Sequence, residues 1–392
     1  MLPLTSLLAA FPWVVPLLAL PRLGRKQPNL SAVEPVSGRM LSVIVPARNE
    51  AGQIDRVIRS VLASAYTPLE LIVVDDRSTD ETASVVQHLA TLDPRLKLIA
   101  GKELPPGWYG KPWACWQGAQ AATGELLLFT DADTWHGAEL AGRAVAMLDR
   151  EHADLLTVAP KQVILSFWER VVMPQVWVLL GLRYHPALVS RAVRPRDVVA
   201  NGQFMLFTRD SYQRIGTHQA VQGDVVEDLA LAQRTVRLGH RLRFVFADLY
   251  METRMYQNLS QVVEGWSKNL YLGGRHSFPD EPLRRAVAPL LLAGAMLFWL
   301  LPVVVAVLGL LGILSGWLAA ATVAMLLSAA FWALISHGMD APAWYGPLYP
   351  LGALMVLCIL VRSTLRGARK VEWRGRIYNE ETATVREIKR RR

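Results

Sequence analysis

The sequence predicts an α/β catalytic domain, Rossmann-like with a mostly parallel sheet, joined to transmembrane α-helices. Three observations predict it. Residues 40–159 alternate short β-branched runs with helical patterns, as a doubly wound sheet does. Three of the strands run straight into polar clusters, Arg48-Asn49-Glu50, Asp75-Asp76 and Asp131-Ala132-Asp133, and open α/β sheets bind ligands at that edge. The apolar residues, 52% of the chain, are concentrated in the first 20 residues and after about residue 285.

At 392 residues the chain has room for one large or two medium domains. Its formal charge is +9, and much of the basic excess lies beside the apolar segments, in Arg22, Arg25 and Lys26 and from Arg362 onward. That placement suits an anionic membrane surface. No zinc-finger, helix-turn-helix or RNA-binding signature accompanies it, so nucleic acid is not an expected partner. Cys115 and Cys358 sit in unlike contexts, give no disulfide framework or metal cluster, and fit a reducing compartment.

Taken in order, residues 1–20 carry no charge and the basic cluster follows them, the reverse of a cleaved signal peptide. A membrane anchor is expected over 1–21 with its N-terminus outside; Pro3, Pro12 and Pro16 leave an interfacial hairpin open. The catalytic domain is expected over 40–280. Strands are predicted at 41–45, 69–74, 96–100 and 126–130. Helices are predicted over 53–64, from a cap at Ser78 or Thr79 to residue 89, and over 113–122. A helix over 136–150, a strand over 155–159, a tight turn at Asn201-Gly202, a helix over 229–238 and a strand over 242–246 complete the domain.

Asp131 and Asp133 leave a buried strand. Carboxylates there are costly without cationic partners, and a hard divalent cation that also grips a diphosphate is a natural one. One such pair could be a solvated turn or a helix cap. Three polar clusters on one sheet edge are harder to explain that way. Asp228 falls near a helix N-terminus, where the dipole is expected to favour its charged form and lower its basicity.

Residues 163–190 are too apolar for a surface helix yet hold Glu169, Arg170, Arg183 and His185. An amphipathic helix in the membrane interface and an ordinary core helix both fit. Residues 254–277 mix cations, aromatics and glycine, among them Trp266, Lys268, Arg275 and His276, as a lid over anionic and sugar groups would. About three transmembrane helices follow within 286–362, over 286–314, 317–336 and 344–361, and a basic tail over 363–392. Three crossings would leave that tail opposite the catalytic domain, whereas its charge argues for the same side. One of the four apolar segments is therefore expected to be re-entrant or interfacial, or the first does not span.

The order of motifs resembles that of glycosyltransferase family 2. The matching stretches are Val45-Pro46-Ala47-Arg48-Asn49-Glu50, Val73-Val74-Asp75-Asp76-Arg77-Ser78-Thr79-Asp80, Gly110-Lys111-Pro112-Trp113-Ala114, Thr130-Asp131-Ala132-Asp133 and Glu227-Asp228. The resemblance covers about residues 40–280. It implies a GT-A fold, a nucleotide-sugar donor, a divalent metal and inversion at the anomeric centre. By motif it implies that Pro46, Arg48 and Glu50 line the nucleoside pocket and that Asp76 or Asp75 contacts the uracil or ribose. Lys111 would meet the nucleotide end of the donor and Asp131 the ribose or sugar. Asp133 would hold Mg²⁺ or Mn²⁺, and Asp228 would be the general base. Glu227, Trp266, Lys268, Arg275 and His276 would form the acceptor side and lid.

Gly107-Trp108-Tyr109-Gly110-Lys111-Pro112-Trp113, Gly265-Trp266-Ser267-Lys268-Asn269 and Trp373-Arg374-Gly375-Arg376-Ile377-Tyr378 further resemble membrane-bound transferases of the carotenoid- and hopanoid-associated type. The Gln-x-x-Arg-Trp of the processive synthases is not matched, since Gln261 leads to Glu264-Gly265-Trp266. The expected function is inverting transfer of a hexose, glucose from UDP-glucose, to a hydroxyl of a membrane lipid such as a carotenoid or other terpenoid. The expected location is the cell membrane, multi-pass, with the catalytic domain cytoplasmic. The rivals are transfer to polyprenyl phosphate, ceramide or diacylglycerol, a processive polysaccharide synthase, and a membrane transporter or scaffold that only binds nucleotides.

Overall fold

The computed structural model describes residues 8–23, 27–367, 371–373, 376–379 and 384–387. Arg25, Lys26, Arg374 and Gly375, and the basic end 388–392, lie outside the described residues. After a short helix α1 (Phe11–Leu23), the chain enters β1 (Leu41–Ala47), α2 (Ile54–Leu62), β2 (Leu69–Asp75), α3 (Thr82–Leu92), β3 (Leu96–Ala100), α4 (Gly110–Ala121) and β4 (Leu126–Thr130). β1 and β2 are buried along their whole length and pair in parallel, Leu41 opposite Leu69 and Ala47 opposite Asp75. Such continuous β-branched strands are what a sheet covered on both faces requires.

β5 (Thr134–His136), α5 (Leu140–Arg150), β6 (Leu155–Ala159), β7 (Lys161–Gln162), α6 (Phe167–Arg183), β8 (Phe204–Thr208), α7 (Glu227–Arg237), β9 (Leu242–Phe246), β10 (Met251–Thr253) and α8 (Leu259–His276) complete the domain. The main sheet runs β3-β2-β1-β4-β8-β6-β9. β8 is its antiparallel member, lying between β4 and β6. One face is packed by α2, α3 and α5 through Ile54, Val57, Val86, Leu140 and Ala144. The other is packed by α4 and α7 through Ala114, Ala119, Leu231 and Ala232.

Two local expectations are corrected. The helix expected from residue 136 starts at Leu140, because 134–136 stays extended to pair with β10 in a small sheet β5-β10-β7. The start of α3 is served by Asp80, not by Ser78 or Thr79. Asp80 Oδ1 accepts from the Thr82 N–H at 3.0 Å and its hydroxyl at 2.5 Å, while Ser78 and Thr79 bond to Asn49.

A second core lies outside the sheet. It joins α6 and α8 to α9 (Pro282–Leu310), α10 (Leu318–Gly338) and α11 (Tyr349–Arg366) through Val172, Val176, Met296, Trp299, Phe331 and Val356. α6 opens with a capping box between Ser166 and Glu169, and buries Val171, Val172, Met173 and Val176 in this core. α1 joins it by stacking Trp13 on Phe298, ring centres 4.9 Å apart. Among the described residues, three stretches are long and apolar enough to cross a membrane, Pro282–Leu310, Ser315–Gly338 and Ala343–Arg366. The tail forms a small antiparallel sheet of β11 (Val371–Trp373), β12 (Arg376–Asn379) and β13 (Thr384–Glu387).

Candidate active site

The first wall is made by the loops after β1 and β2. Pro46 is buried within β1, opposite Val74. Arg48 is 5% exposed, and its guanidinium donates to the carbonyl oxygens of Asp76 and Arg77. These bonds tie the loop after β1 to the loop after β2. Asn49 adopts φ 55°, a left-handed conformation that Asn tolerates better than most residues. Its Oδ1 accepts from the Thr79 N–H at 2.8 Å, and its own N–H donates to Ser78 Oγ at 3.0 Å. The Glu50 N–H donates to Thr82 Oγ1 at 2.8 Å. The two loops are thereby laced into one surface.

Asp76 is fully buried and its N–H donates to Ala47 O at 2.8 Å. Asp75 Oδ2 accepts from the Ser78 N–H at 3.3 Å, whereas Asp75 Oδ1 is buried with no hydrogen-bond partner among the described residues. A buried carboxylate oxygen left open at this edge suits a ligand that donates a hydrogen bond, as a nucleoside does.

The centre is Lys111, the second residue of α4. Its Nζ lies 2.8 Å from Asp131 Oδ1 and 2.8 Å from Glu227 Oε1. Burial alone would depress the ammonium, but the charges of Asp131, Glu227 and Asp228 outweigh it and hold Lys111 well above its ordinary range. The same contact works on Glu227: burial raises its carboxyl, yet Lys111 keeps it below its usual value and charged. Glu227, expected on the acceptor side, is thus brought into contact with Lys111.

Asp228, on the first turn of α7, accepts from two backbone N–H groups, Leu229 to Oδ1 at 2.7 Å and Gly202 to Oδ2 at 2.9 Å. The expected depression by the helix dipole is overturned. Burial, and then the charge of Glu227, push Asp228 up to about 6 against Lys111 and both N–H groups. A carboxylate titrating there is a far better proton acceptor at neutral pH than an ordinary aspartate. Asp224, on the loop before α7, is also raised to about 6 by burial and by Glu227.

Whether a divalent cation fits can be judged from the donors. Asp131 has one oxygen on Lys111, and Asp133 sits two residues on, in the turn between β4 and β5. No group of three ligating side chains occurs among the described residues. One or two carboxylates form no closed cage, but they do suit a hard cation that takes its other ligands from a diphosphate and water. Asp133, with Asp131 beside it, would hold such an ion.

Of the expected lid residues, α8 brings Lys268 to the centre. Burial pushes its ammonium below the ordinary lysine range, while Glu227 and Asp228 oppose this. Trp266 is corrected: it is buried in the second core, with Nε1 3.3 Å from Met173 Sδ and its ring edge-on to Trp177. Residues two apart on a helix face different ways, so Lys268 and Trp266 cannot share the site. Arg275 lies on the Lys268 side of α8, where Tyr271 packs beside Tyr109 and Val225, and His276 ends the helix. Arg275 donates to Tyr271 Oη at 2.8 Å, and the His276 carbonyl accepts from Gln233 Nε2 of α7 at 2.7 Å. A further tie joins α7 to the start of α9, Arg237 to Asp280 at 3.0 Å.

Three participants escaped the motif reading. Gly202 was visible only as a turn residue, Asn49 as part of a motif, and Asp224 as one acid in an acidic run. What would have singled out Gly202 is its position next to Asp228, and that arises only when β8 inserts between β4 and β6.

Residues 42–216 match the family model described as glycosyl transferase family 2. A 4,4'-diaponeurosporenoate glycosyltransferase of Staphylococcus aureus (strain MRSA252) is 27% identical over 280 residues, covering 69% of this chain and 68% of that protein. Among solved structures, the mannosyltransferase PcManGT from Pyrobaculum calidifontis, in complex with GDP-Man and Mn2+, superposes with a TM-score of 0.53 at 20% identity. That superposition covers 92% of this chain and 98% of the other, and it shows a shared fold of the GT-A type.

Proposed function

This chain belongs to glycosyl transferase family 2 and is a glycosyltransferase, and from that premise we propose that it moves a hexose, glucose from UDP-glucose, onto a hydroxyl of a hydrophobic membrane lipid such as a carotenoid or other terpenoid, with inversion. The observation that carries the reading is the cluster at the sheet edge, where Lys111 joins Asp131 to Glu227 and Asp228 stands beside them. The carotenoid-related relative and the three long apolar helices support a lipid acceptor in the cell membrane. The catalytic domain is assigned to the cytoplasm, where nucleotide sugars are made.

In this reading Asp75, Glu50 and the braced wall behind them receive the nucleoside. Lys111 lies against the donor's phosphates, and Asp131 meets the ribose or sugar. Asp133 holds Mg²⁺ or Mn²⁺; when bound, the ion offsets the charge that develops on the leaving diphosphate. Asp228 takes the proton of the acceptor hydroxyl as the oxygen attacks the anomeric carbon from the face opposite the diphosphate. Lys268 adds positive charge on the acceptor side. The mannosyltransferase that shares the fold was solved with a nucleotide sugar and Mn2+, in keeping with this division of roles.

A second reading is favoured by Lys268, a buried cation beside Asp228. The acceptor group would be a carboxylate, as the name diaponeurosporenoate has it for the relative, and the product a glycosyl ester. The deciding experiment is lipid mass spectrometry of a host expressing the wild type beside Asp228→Asn, with and without mild alkali. A lipid that gains one hexose only with the wild type and keeps it in alkali supports the glycoside. Alkaline loss of the hexose supports the ester. No new glycolipid, in a host shown to contain carotenoid alcohols and acids, would overturn the lipid-acceptor reading.

A further inference from the structure

A helix that crosses a bilayer carries its ends to faces about 30 Å apart. Both ends of α11 meet one layer of this molecule. At its start, Gly352 packs so closely on α6 that a Cβ would collide with the Val171 carbonyl oxygen, and Gln175 Nε2 of α6 donates to Tyr349 O at 3.3 Å. At its end, Arg362 and Arg366 pair with Glu264 of α8 at 3.0 and 2.6 Å, and Ser363 Oγ accepts from the Tyr271 N–H at 3.0 Å.

α6 and α8 are each tied to the catalytic domain at both ends. α6 starts where Glu169 pairs with Arg254 at 3.1 Å, and beyond its end the chain returns to β8. α8 starts shortly after β10 and ends at the bond from Gln233 to His276 O. They therefore lie along the domain, and α11, laid across both, stays at their depth. The preceding chain agrees. Asp340, just past α10, pairs with Lys161 of β7 at 2.7 Å, so the chain is already back at the catalytic domain before α11 begins. α11 has two apolar faces: Val356 and Leu360 are buried on the protein side, whereas Leu354, Val361 and Leu365 face outward, the last 83% exposed.

We propose that Ala343–Arg366 does not cross the bilayer but rests in its catalytic-side leaflet, forming with α6 and α8 one lipid-contacting layer, so that α9 and α10 are the crossing pair. This rests on the reading of the chain as a membrane protein. It also removes the conflict in the sequence. Two crossings return the basic tail to the catalytic side, where its Lys and Arg content places it. Arg362 and Arg366 then sit at headgroup level, with their aliphatic stems along the apolar layer.

Cys358, exposed near the middle of α11, reports depth directly, because Cys115 is buried. The full-length protein, bimane-labelled at Cys358, would be reconstituted in phosphatidylethanolamine/phosphatidylglycerol vesicles doped with nitroxide lipids. Stronger quenching by a headgroup nitroxide than by one at the acyl-chain end is expected. The reverse order places Cys358 at the bilayer centre and overturns the proposal. Sidedness is an independent measure. In a Cys358→Ala background, Arg392→Cys, Ser315→Cys and Glu103→Cys are probed in sealed vesicles with a membrane-impermeant maleimide. Arg392→Cys should react from the side of Glu103→Cys, and Ser315→Cys from the other. Arg392→Cys reacting with Ser315→Cys overturns the proposal while leaving a membrane protein. All three reacting from one side overturns both this proposal and the membrane reading.

Discussion

The backbone N–H of Gly202 points at Asp228 Oδ2 across 2.9 Å, and a Cβ on Gly202 would stand 3.1 Å from that oxygen and 3.0 Å from Lys111 Nζ. A methyl here must displace the Asp228 carboxylate or the Lys111 ammonium beside it. Gly202→Ala should therefore lower kcat by roughly 10- to 100-fold, the effect of misplacing a reacting group by a fraction of an ångström. Donor affinity should fall less than kcat. Steady-state kinetics at saturating donor decide it, and an unchanged kcat would mean that Asp228 need not be held there.

Burial and Glu227 push Asp228 up to about 6, so in the proposed role as general base transfer should fall below that pH by about tenfold per unit and level off above it. The stability effect has the opposite sense. A folded-state pKa raised above the unfolded value means that the native protein binds the proton more tightly. The stabilisation is complete below the unfolded value and is lost as pH rises through about 6. Asp228→Asn, whose amide can accept only one of the two backbone N–H bonds, should lose the drop in melting temperature that the wild type shows as pH rises through about 6, whatever its own stability. Thermal unfolding across that range, beside the pH–rate profile, tests both.

Lys111→Met leaves Asp131 and Glu227 without the cation that bridges them. Removing one member of a buried charge cluster costs about 3 kcal/mol. Both UDP-sugar affinity and melting temperature should drop. Lys111→Met combined with Glu227→Gln should recover much of the stability and none of the affinity. Recovery of both would reassign Lys111 to a purely structural role.

Asp133→Ala should abolish the divalent-metal dependence of UDP-sugar binding, read by calorimetry with and without Mn²⁺. Metal-dependent binding of wild-type strength would remove Asp133 as the ligand. A residue that only supported the β4–β5 turn would lower stability without changing the metal titration.

The strands, their parallel pairing and the edge where Arg48, Asp75 and Asp131 follow them were legible because a covered parallel strand writes itself as a β-branched run ending in polar residues, whereas Asp228 was reached only through the family resemblance. The three long apolar helices were legible from length alone. Pairing across the chain was not. Glu227 and Asp228 are neighbours with opposite fates, one held ionised by Lys111 and the other pushed upward by burial and its neighbour's charge, and no local rule separates them. Trp266 misled because a lid reading took every aromatic and cation of 254–277 as one face, although helical spacing divides Lys268 from Trp266. The dipole at the start of α7 is real, but burial and an adjacent charge outweigh it at Asp228.

The bonds from Gln233 to the His276 carbonyl and from Arg237 to Asp280 fasten the helix bearing Asp228 to the end of α8 and to the short segment that leads into α9. In the proposed function this ties the helix of the general base to a helix that enters the membrane, so hydrophobic mismatch that lifts or tilts α9 would bear on Asp228 through these two contacts. Shifting reconstituted enzyme from short- to long-chain lipids tests that link: kcat is expected to move, and the dissociation constant for UDP to move less.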